Sequence, residues 1–586
     1  MRLRRPRAAP ALVAVLLCLA ACEEGDGWPS PELECGDDEG WAQFSRTPGH
    51  GGATCARGQP LGRILFTTAV DENAEAEKVE WNGALLAHYQ TPLLAGHDVI
   101  VEHKSGTYLP CDVSGGGIPC GPDAWQLQTW GERAFRWRAG VLQPAWSFDS
   151  DWKPPAHGPA LQWEPVFHAA LFGEGGSLVA VPGAGGALHV LDRTTGRRLR
   201  TVDPFAADPD TFVAGAVGVD GRGDAWYTAV RLDPVDPFGA AGRDPEGWLV
   251  RVSPDGQFAV ASFADLVTGA PGPDDACETG YPAGTPRPLP PLDDQGVPLP
   301  APTVRCGPQR PSLNAAPAFA EDGTVFVVSR AHRAARTSFV VAVRPDLTPR
   351  WAASFRGRLT DGCGVLRLDC NPGAPAGVDP GTGTLPAGMV DDLSTSSPVA
   401  LPDGGVLYGA YTGYNGSRGH LFRFGAGGEF LASYDFGWDI TPAVFPHGGT
   451  WSVVLKDNHY PVGPYHLTQL DAELRVEWQV ANPETRSCRR EENGAVTCLD
   501  TGEHPLGFEW CVNAVAVDRE GVVYANAEDG FLYAIDQGGR VRDRIFLSLA
   551  LGSAYTPVSL DAEGRIYAQN DGKLFVVGRR GPTRTK

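Results

Sequence analysis

The densest run of polar chemistry in this 586-residue chain is Lys456-Asp457-Asn458-His459-Tyr460. A cation, a carboxylate, an amide, an imidazole and a phenol stand there in consecutive positions. Comparable mixtures occur at Arg330, His332 and Arg333, at Tyr411, Tyr414 and Asn415, and at Glu528-Asp529. Asp391-Asp392, Trp438-Asp439 and Trp510 complete the set of candidate binding residues. Aromatics beside polar groups suit a glycan or a peptide. Sharper catalytic patterns are missing. No His-Glu-x-x-His and no CxxC pair offers zinc ligands, and no metal is expected. Asp220-Gly221-Arg222-Gly223-Asp224 lacks the later Glu and the further oxygens of a calcium loop, so it reads as a hairpin turn. Gly416-Ser417-Arg418-Gly419 lacks the leading Gly of a nucleophile elbow. Gly183-Ala184-Gly185-Gly186 has no helix after it to receive a pyrophosphate. The residues point to recognition, and no catalytic residue is assigned.

The elements that position these residues repeat. Asp518-Arg519-Glu520-Gly521 before Val522-Val523-Tyr524 returns as Asp561-Ala562-Glu563-Gly564 before Arg565-Ile566-Tyr567. Weaker copies precede Trp226-Tyr227, Val325-Phe326 and Leu407-Tyr408. An inner strand opening on a hydroxyl residue and Pro precedes several turns, as at Thr91-Pro92, Ser397-Pro398, Thr441-Pro442 and Thr556-Pro557. Third strands read like Gly530-Phe531-Leu532-Tyr533-Ala534-Ile535-Asp536. Four short strands with turn residues at fixed offsets, repeating every 40 to 45 residues or so, are propeller blades. Full blades are expected near 88–150, 165–205, 212–264, 313–356, 396–436, 441–480 and 511–548. An eighth begins at Tyr555 and lacks its outer strand, which Gly62 to Val70 is expected to supply. That closure would remove an open sheet edge. The reading is one all-β domain of eight four-stranded antiparallel blades, with seven as the alternative count.

Turns between the first and second strands and between the third and fourth lie on one face of such a disc. Those turns are short here. The long insertions, 103–125, 233–247, 265–311, 357–395 and 481–509, all belong to the opposite face. Insertions gathered on one face mark a binding surface. Close cysteine neighbours fall mostly in these loops: Cys111 with Cys120, Cys277 with Cys306, Cys363 with Cys370, Cys488 with Cys498, and, nearer the start, Cys35 with Cys55. All five pairings are expectations, since spacing alone does not fix connectivity. Cys511 is left over in an apolar strand start and reads as a buried, inert thiol.

Disulfides suit an oxidising compartment, and the start of the chain agrees. Arg2, Arg4, Arg5 and Arg7 precede an apolar run from Ala11 to Ala21, too short to span a bilayer as a stable helix. Leu19-Ala20-Ala21-Cys22 matches a bacterial lipobox, with Cys22 as the lipidated residue. Residues 1–21 are therefore read as a lipoprotein signal, 22–40 as a linker, 41–581 as the propeller and 582–586 as a tail. Glu23 after the lipid site favours the outer membrane. The formal charge is -21, and becomes more negative once the four leading arginines are removed. Such a surface repels phosphate backbones and anionic headgroups, so nucleic acid is excluded as a partner and the membrane is reached through the lipid alone.

The Leu191-Asp192-Arg193-Thr194-Thr195-Gly196 turn and the Ser/Thr-Pro inner strands resemble the quinoprotein-like (PQQ-like) propeller repeats. Trp41-Ala42-Gln43-Phe44-Ser45-Arg46-Thr47-Pro48-Gly49-His50-Gly51-Gly52 looks like the segment that often precedes such propellers. The resemblance spans most of 41–578. It implies either a periplasmic dehydrogenase with PQQ and calcium or a non-catalytic lipoprotein like one in the outer-membrane-protein assembly machinery. The chain has no adjacent cysteine pair, and Gly196 is followed by Arg197-Arg198-Leu199-Arg200 where the dehydrogenase repeat closes on Trp. The expectation is a monomeric, non-catalytic, lipid-anchored envelope propeller without a cofactor, binding an envelope protein or a glycan. A PQQ-dependent oxidoreductase or another enzyme at the channel mouth is the alternative.

Overall fold

The repeated Asp owes its place to the backbone that it caps. Asp518 Oδ1 accepts the N–H groups of Glu520 and Val522, each at 2.9 Å, while Gly521 takes a φ of 79°. Asp220, Asp322, Asp403 and Asp561 accept in the same way from Asp224, Thr324, Gly405 and Arg565. The carboxylate closes the turn, and glycine supplies the left-handed step that a Cβ would oppose.

In the computed structural model, residues 40–109, 125–155, 164–238, 242–282, 284–366, 370–460, 463–552 and 557–579 are described. They form eight antiparallel blades. Blade one consists of Leu93–Ala95, Asp98–Gly106, Gln128–Arg138 and Val141–Asp149. Blades two to seven follow within 170–202, 211–262, 309–354, 399–434, 443–481 and 516–546. In blades three and four the inner strand is split into two pieces on one partner, Thr211–Val213 with Gly218–Val219 and Gln309–Pro311 with Ala318–Phe319. Blade eight contains Val558–Leu560, Ile566–Asn570 and Lys573–Gly578, and Arg63–Ala69 completes it. The register runs from Arg63 opposite Gly578 to Ala69 opposite Lys573. The ring therefore closes as the incomplete last repeat requires, and the count is eight.

The hydroxyl residues that open the inner strands stitch neighbouring blades together. Ser397 Oγ accepts the Ala316 N–H from blade four at 2.9 Å, and Thr441 Oγ1 accepts the Ser397 N–H from blade five at 3.0 Å. Within the inner strand of blade eight, Ser559 Oγ donates to Pro92 O across the seam with blade one.

Residues 41–59 make one lap of the axis. Trp41 N–H donates to Leu94 O, and Ala42 O accepts from Leu171. The Gln43 amide pairs with both backbone groups of Val219. Pro48, Gly49, Gly51 and Gly52 carbonyls accept from Phe319, Ala400, Val444 and Val517, and Gln59 N–H donates to Gly564 O. All eight blades are touched, in order. Most contacts fall near the short-turn end of the inner strands, so the lap closes the channel on that side.

Every long connection leaves from the opposite end. Two insertions carry their own hairpins, Ala276–Glu278 with Thr303–Arg305 and Ser487–Arg490 with Val496–Leu499. Disulfides Cys277–Cys306, Cys363–Cys370 and Cys488–Cys498 staple these insertions as the spacing suggested. Cys55 is disulfide-bonded, while Cys22, Cys35, Cys111 and Cys120 lie outside the described residues. Cys511 is a buried thiol that forms no disulfide, and burial pushes it well above the usual thiol range. No helix among the described residues is long and apolar enough to cross a membrane.

Candidate functional site on the elaborated face

Arg310 and Arg330 lie directly opposite each other on paired strands of blade four. Like charges so placed repel unless an anion lies between them. Asp392, from the connection between blades four and five, is that anion. Arg310 grips it through Nη1 at 2.9 Å and Nη2 at 2.6 Å, and Arg330 Nη1 reaches Oδ2 at 3.1 Å. Burial alone would push the Asp392 carboxyl up, but Arg310 and then Arg330 hold it at about 2. Arg310 Nε donates to His332 Nδ1 at 3.1 Å. Burial first, and the two arginines next, bring His332 down to about 3, so it is a neutral acceptor. Sequence reasoning found Arg330, His332 and Asp392 but not Arg310. Gln309-Arg310 reads as the tail of a loop, and only the split inner strand reveals it.

A second group sits on blades five and six. Lys456 Nζ lies 3.1 Å from Asp439 Oδ2, with side chains 2% and 0% exposed. Asp439 Oδ1 accepts both N–H and Oγ1–H of Thr395, which ties it to the preceding blade. Trp438 Nε1 donates to Asp391 Oδ2 at 3.2 Å, and burial above all raises the Asp391 carboxyl. Tyr411, Trp438 and Tyr460 form an edge-to-face row with centroids 6.2 and 6.1 Å apart. All three are half-buried, so the row offers a ledge for an apolar or sugar face.

Other candidates hold the structure together. Tyr414 Oη donates to Asp361 Oδ1 at 2.5 Å, His420 Nε2 lies 2.7 Å from Asp361 Oδ2, and Asn415 Nδ2 donates to Asp435 at 2.7 Å. This network docks the Cys363–Cys370 insertion on blade five. Trp510 does not border the channel mouth. It is fully buried between blades six and seven, edge-on to Tyr533 at 5.1 Å, and its backbone pairs with Asn458. The polar patch read as candidate binding residues is largely buried: Lys456, Asp457, Asn458, Asn415, Asp392 and Tyr414 are each under a tenth exposed. Buried charges must be paired, and these are. Asp457 reaches blade five through Tyr434, and His459 lies beside it.

Sequence reasoning also missed Lys104. Its Nζ lies 2.6 Å from Glu164 and 3.4 Å from Asp71, and it hydrogen-bonds Glu77. Burial pushes Glu77 up to about 8 against the pull of Lys104. This cluster clamps the connection that carries Ala74–Glu80 onto blade one. On the axis, Phe44, His88, His168, Asn314, Thr395 and Asn513 line a cavity of about 20 Å³, room for one water.

No protein-family model matches the chain, and no curated protein matches it. Among solved structures it is similar in fold to a europium-containing methanol dehydrogenase, at 11% identity over 90% of this chain and 89% of that one, with a TM-score of 0.47. A quinohemoprotein alcohol dehydrogenase from Comamonas testosteroni is similar at 12% identity, 94% and 82% coverage and a TM-score of 0.47. BamB from Moraxella catarrhalis is similar at 11% identity, 78% and 93% coverage and a TM-score of 0.35. The shared feature is the propeller.

Proposed function

We propose that this chain is a non-catalytic recognition scaffold, anchored in the bacterial envelope by lipid at Cys22, with the outer membrane as its site. It presents the elaborated face to an envelope protein or a glycan. The observation that carries this reading is the concentration of apolar-tipped insertions, three of them bearing a disulfide, on that one face. Val235 is 90% exposed, Val297 56%, Leu385 59% and Leu499 64%, and all four lie on its connections. Loops already stapled by disulfides lose less freedom on binding. The half-buried row of Tyr411, Trp438 and Tyr460 supplies aromatic ground beside them.

Capture from the native envelope tests the reading. Wild-type protein should retain a partner or glycan that is lost when hairpin 487–499 and insertion 276–305 are replaced by short Gly-Ser links, with the melting temperature of the ring kept. Equal capture by both proteins would overturn the reading.

A PQQ-dependent oxidoreductase fits less well. Calcium takes six to eight oxygens. Among the described residues, Asp392 at the channel mouth is held by Arg310 and Arg330, and Asp439 by Lys456. Titration with the quinone and calcium should leave the absorbance of the quinone unchanged. A spectral shift would restore the enzyme.

A further inference from the structure

We propose that Asp457, His459 and His466 form a binding site for a divalent transition-metal cation of the zinc type. Asp457 lies directly opposite His466 on the second and third strands of blade six, and His459 follows two positions after Asp457. One ligand atom of each lies within 4.8 Å of the others. His459 Nε2 and Asp457 Oδ1 stand 3.3 Å apart, the separation taken by two ligands about 2 Å from one tetrahedral ion. The imidazole rings of His459 and His466 meet edge-on at 5.3 Å.

Hydrogen bonding singles this cluster out. Asp457 Oδ2 accepts from Tyr434 Oη at 2.7 Å and from Thr468 Oγ1 and Gln479 Nε2, each at 3.1 Å. These three donors fix the carboxylate and leave buried Oδ1 outside hydrogen-bond geometry, facing the His459 imidazole at 3.3 Å. His466 Nδ1 is also buried and unbonded. A cation held between this carboxylate and the imidazoles would give buried Oδ1 a full counter-charge. Donors that orient a ligating carboxylate are the usual outer support of a metal site. The His459 side chain is 39% exposed, which leaves an approach from solvent.

Of the three other acid-and-imidazole or acid-and-sulfur groups among the described residues, two are already committed. Both ring nitrogens of His420 are bonded, to Asp361 and Thr412, while Asp435 holds Arg418 and Asn415. Cys488 and Cys498 beside Glu484 are joined in a disulfide.

Two imidazoles and one carboxylate suit zinc, and cobalt(II) reports on the same ligands through its visible absorption. The oxidised full-length protein, stripped with EDTA, should bind one equivalent of Co²⁺ with new visible bands, and zinc should displace it. His459→Gln and His466→Gln should each weaken Zn²⁺ binding at least about tenfold, whereas His447→Gln should bind as wild type. Zn²⁺ should raise the melting temperature of the wild type but not of His459→Gln, and that variant should melt like the metal-free wild type. Absence of binding by the wild type, or unchanged binding by both histidine variants, would overturn the proposal.

Discussion

Asp392 shows what a single carboxylate does in this ring. It neutralises two arginines that the blade-four ladder places opposite each other. Asp392→Asn would leave both guanidiniums buried without a counter-ion, and breaking such a pair costs about 3–5 kcal/mol. Urea unfolding should show that loss; a change under 1 kcal/mol would mean that the arginines find water. Glu132 gives a pH signature. It is fully buried, and burial pushes its carboxyl up to about 8 despite the hydrogen bond from Gln90. A folded-state value above the unfolded one means that the native state keeps a proton that the unfolded chain releases. Stability is then greatest at low pH and falls as pH rises from the ordinary Glu value toward 8. Glu132→Gln should flatten this slope by an amount on the order of a few kcal/mol. Melting curves at pH 5 and pH 8 compare the two. At this scale the sequence showed the residue types but not their partners. Arg330 and Asp392 stand apart in the chain, and Arg310, Lys104 and Glu164 became visible only once neighbouring blades were packed.

The strands and turns were the most legible level. Asp and Gly at the turns announce themselves because their chemistry is local: a side chain caps its own backbone two to four residues on. The split inner strands of blades three and four were not legible. Nothing local to 214–217 or 312–317 says that the backbone there leaves the sheet. The stapled insertions were read correctly at the three described bridges, because short spacing on a common face leaves few other partners. Cys277 and Cys306 close a segment with a sequence separation of 29. Replacing both by Ser should loosen that insertion by about 3–4 kcal/mol on the chain-entropy account. Limited proteolysis should then cut between 278 and 303 while the blades keep their melting transition. Loss of the whole transition would show that the insertion supports the ring and is not an appendage.

For the molecule as a whole, an incomplete last repeat foretold the closing strand Arg63–Ala69, because a missing fourth strand must come from somewhere. The lap of residues 41–59 was not foretold. Its partners are spread over the entire chain, and no local pattern encodes contacts at such separations. A chain that starts at Val70 would lack both lap and closing strand. It would expose the Lys573–Gly578 edge and should associate or precipitate, as size exclusion with light scattering would show. A stable monomer of unchanged melting temperature would refute the account of closure. The lap also has a mechanical meaning. Tension applied at Gly40, the start of the described chain, meets the grip of Trp41 on Leu94 first, and then one hold after another around the disc. Each must be peeled in turn before the load arrives at Arg63, so the joint that seals the ring is the last part of that path to feel the pull.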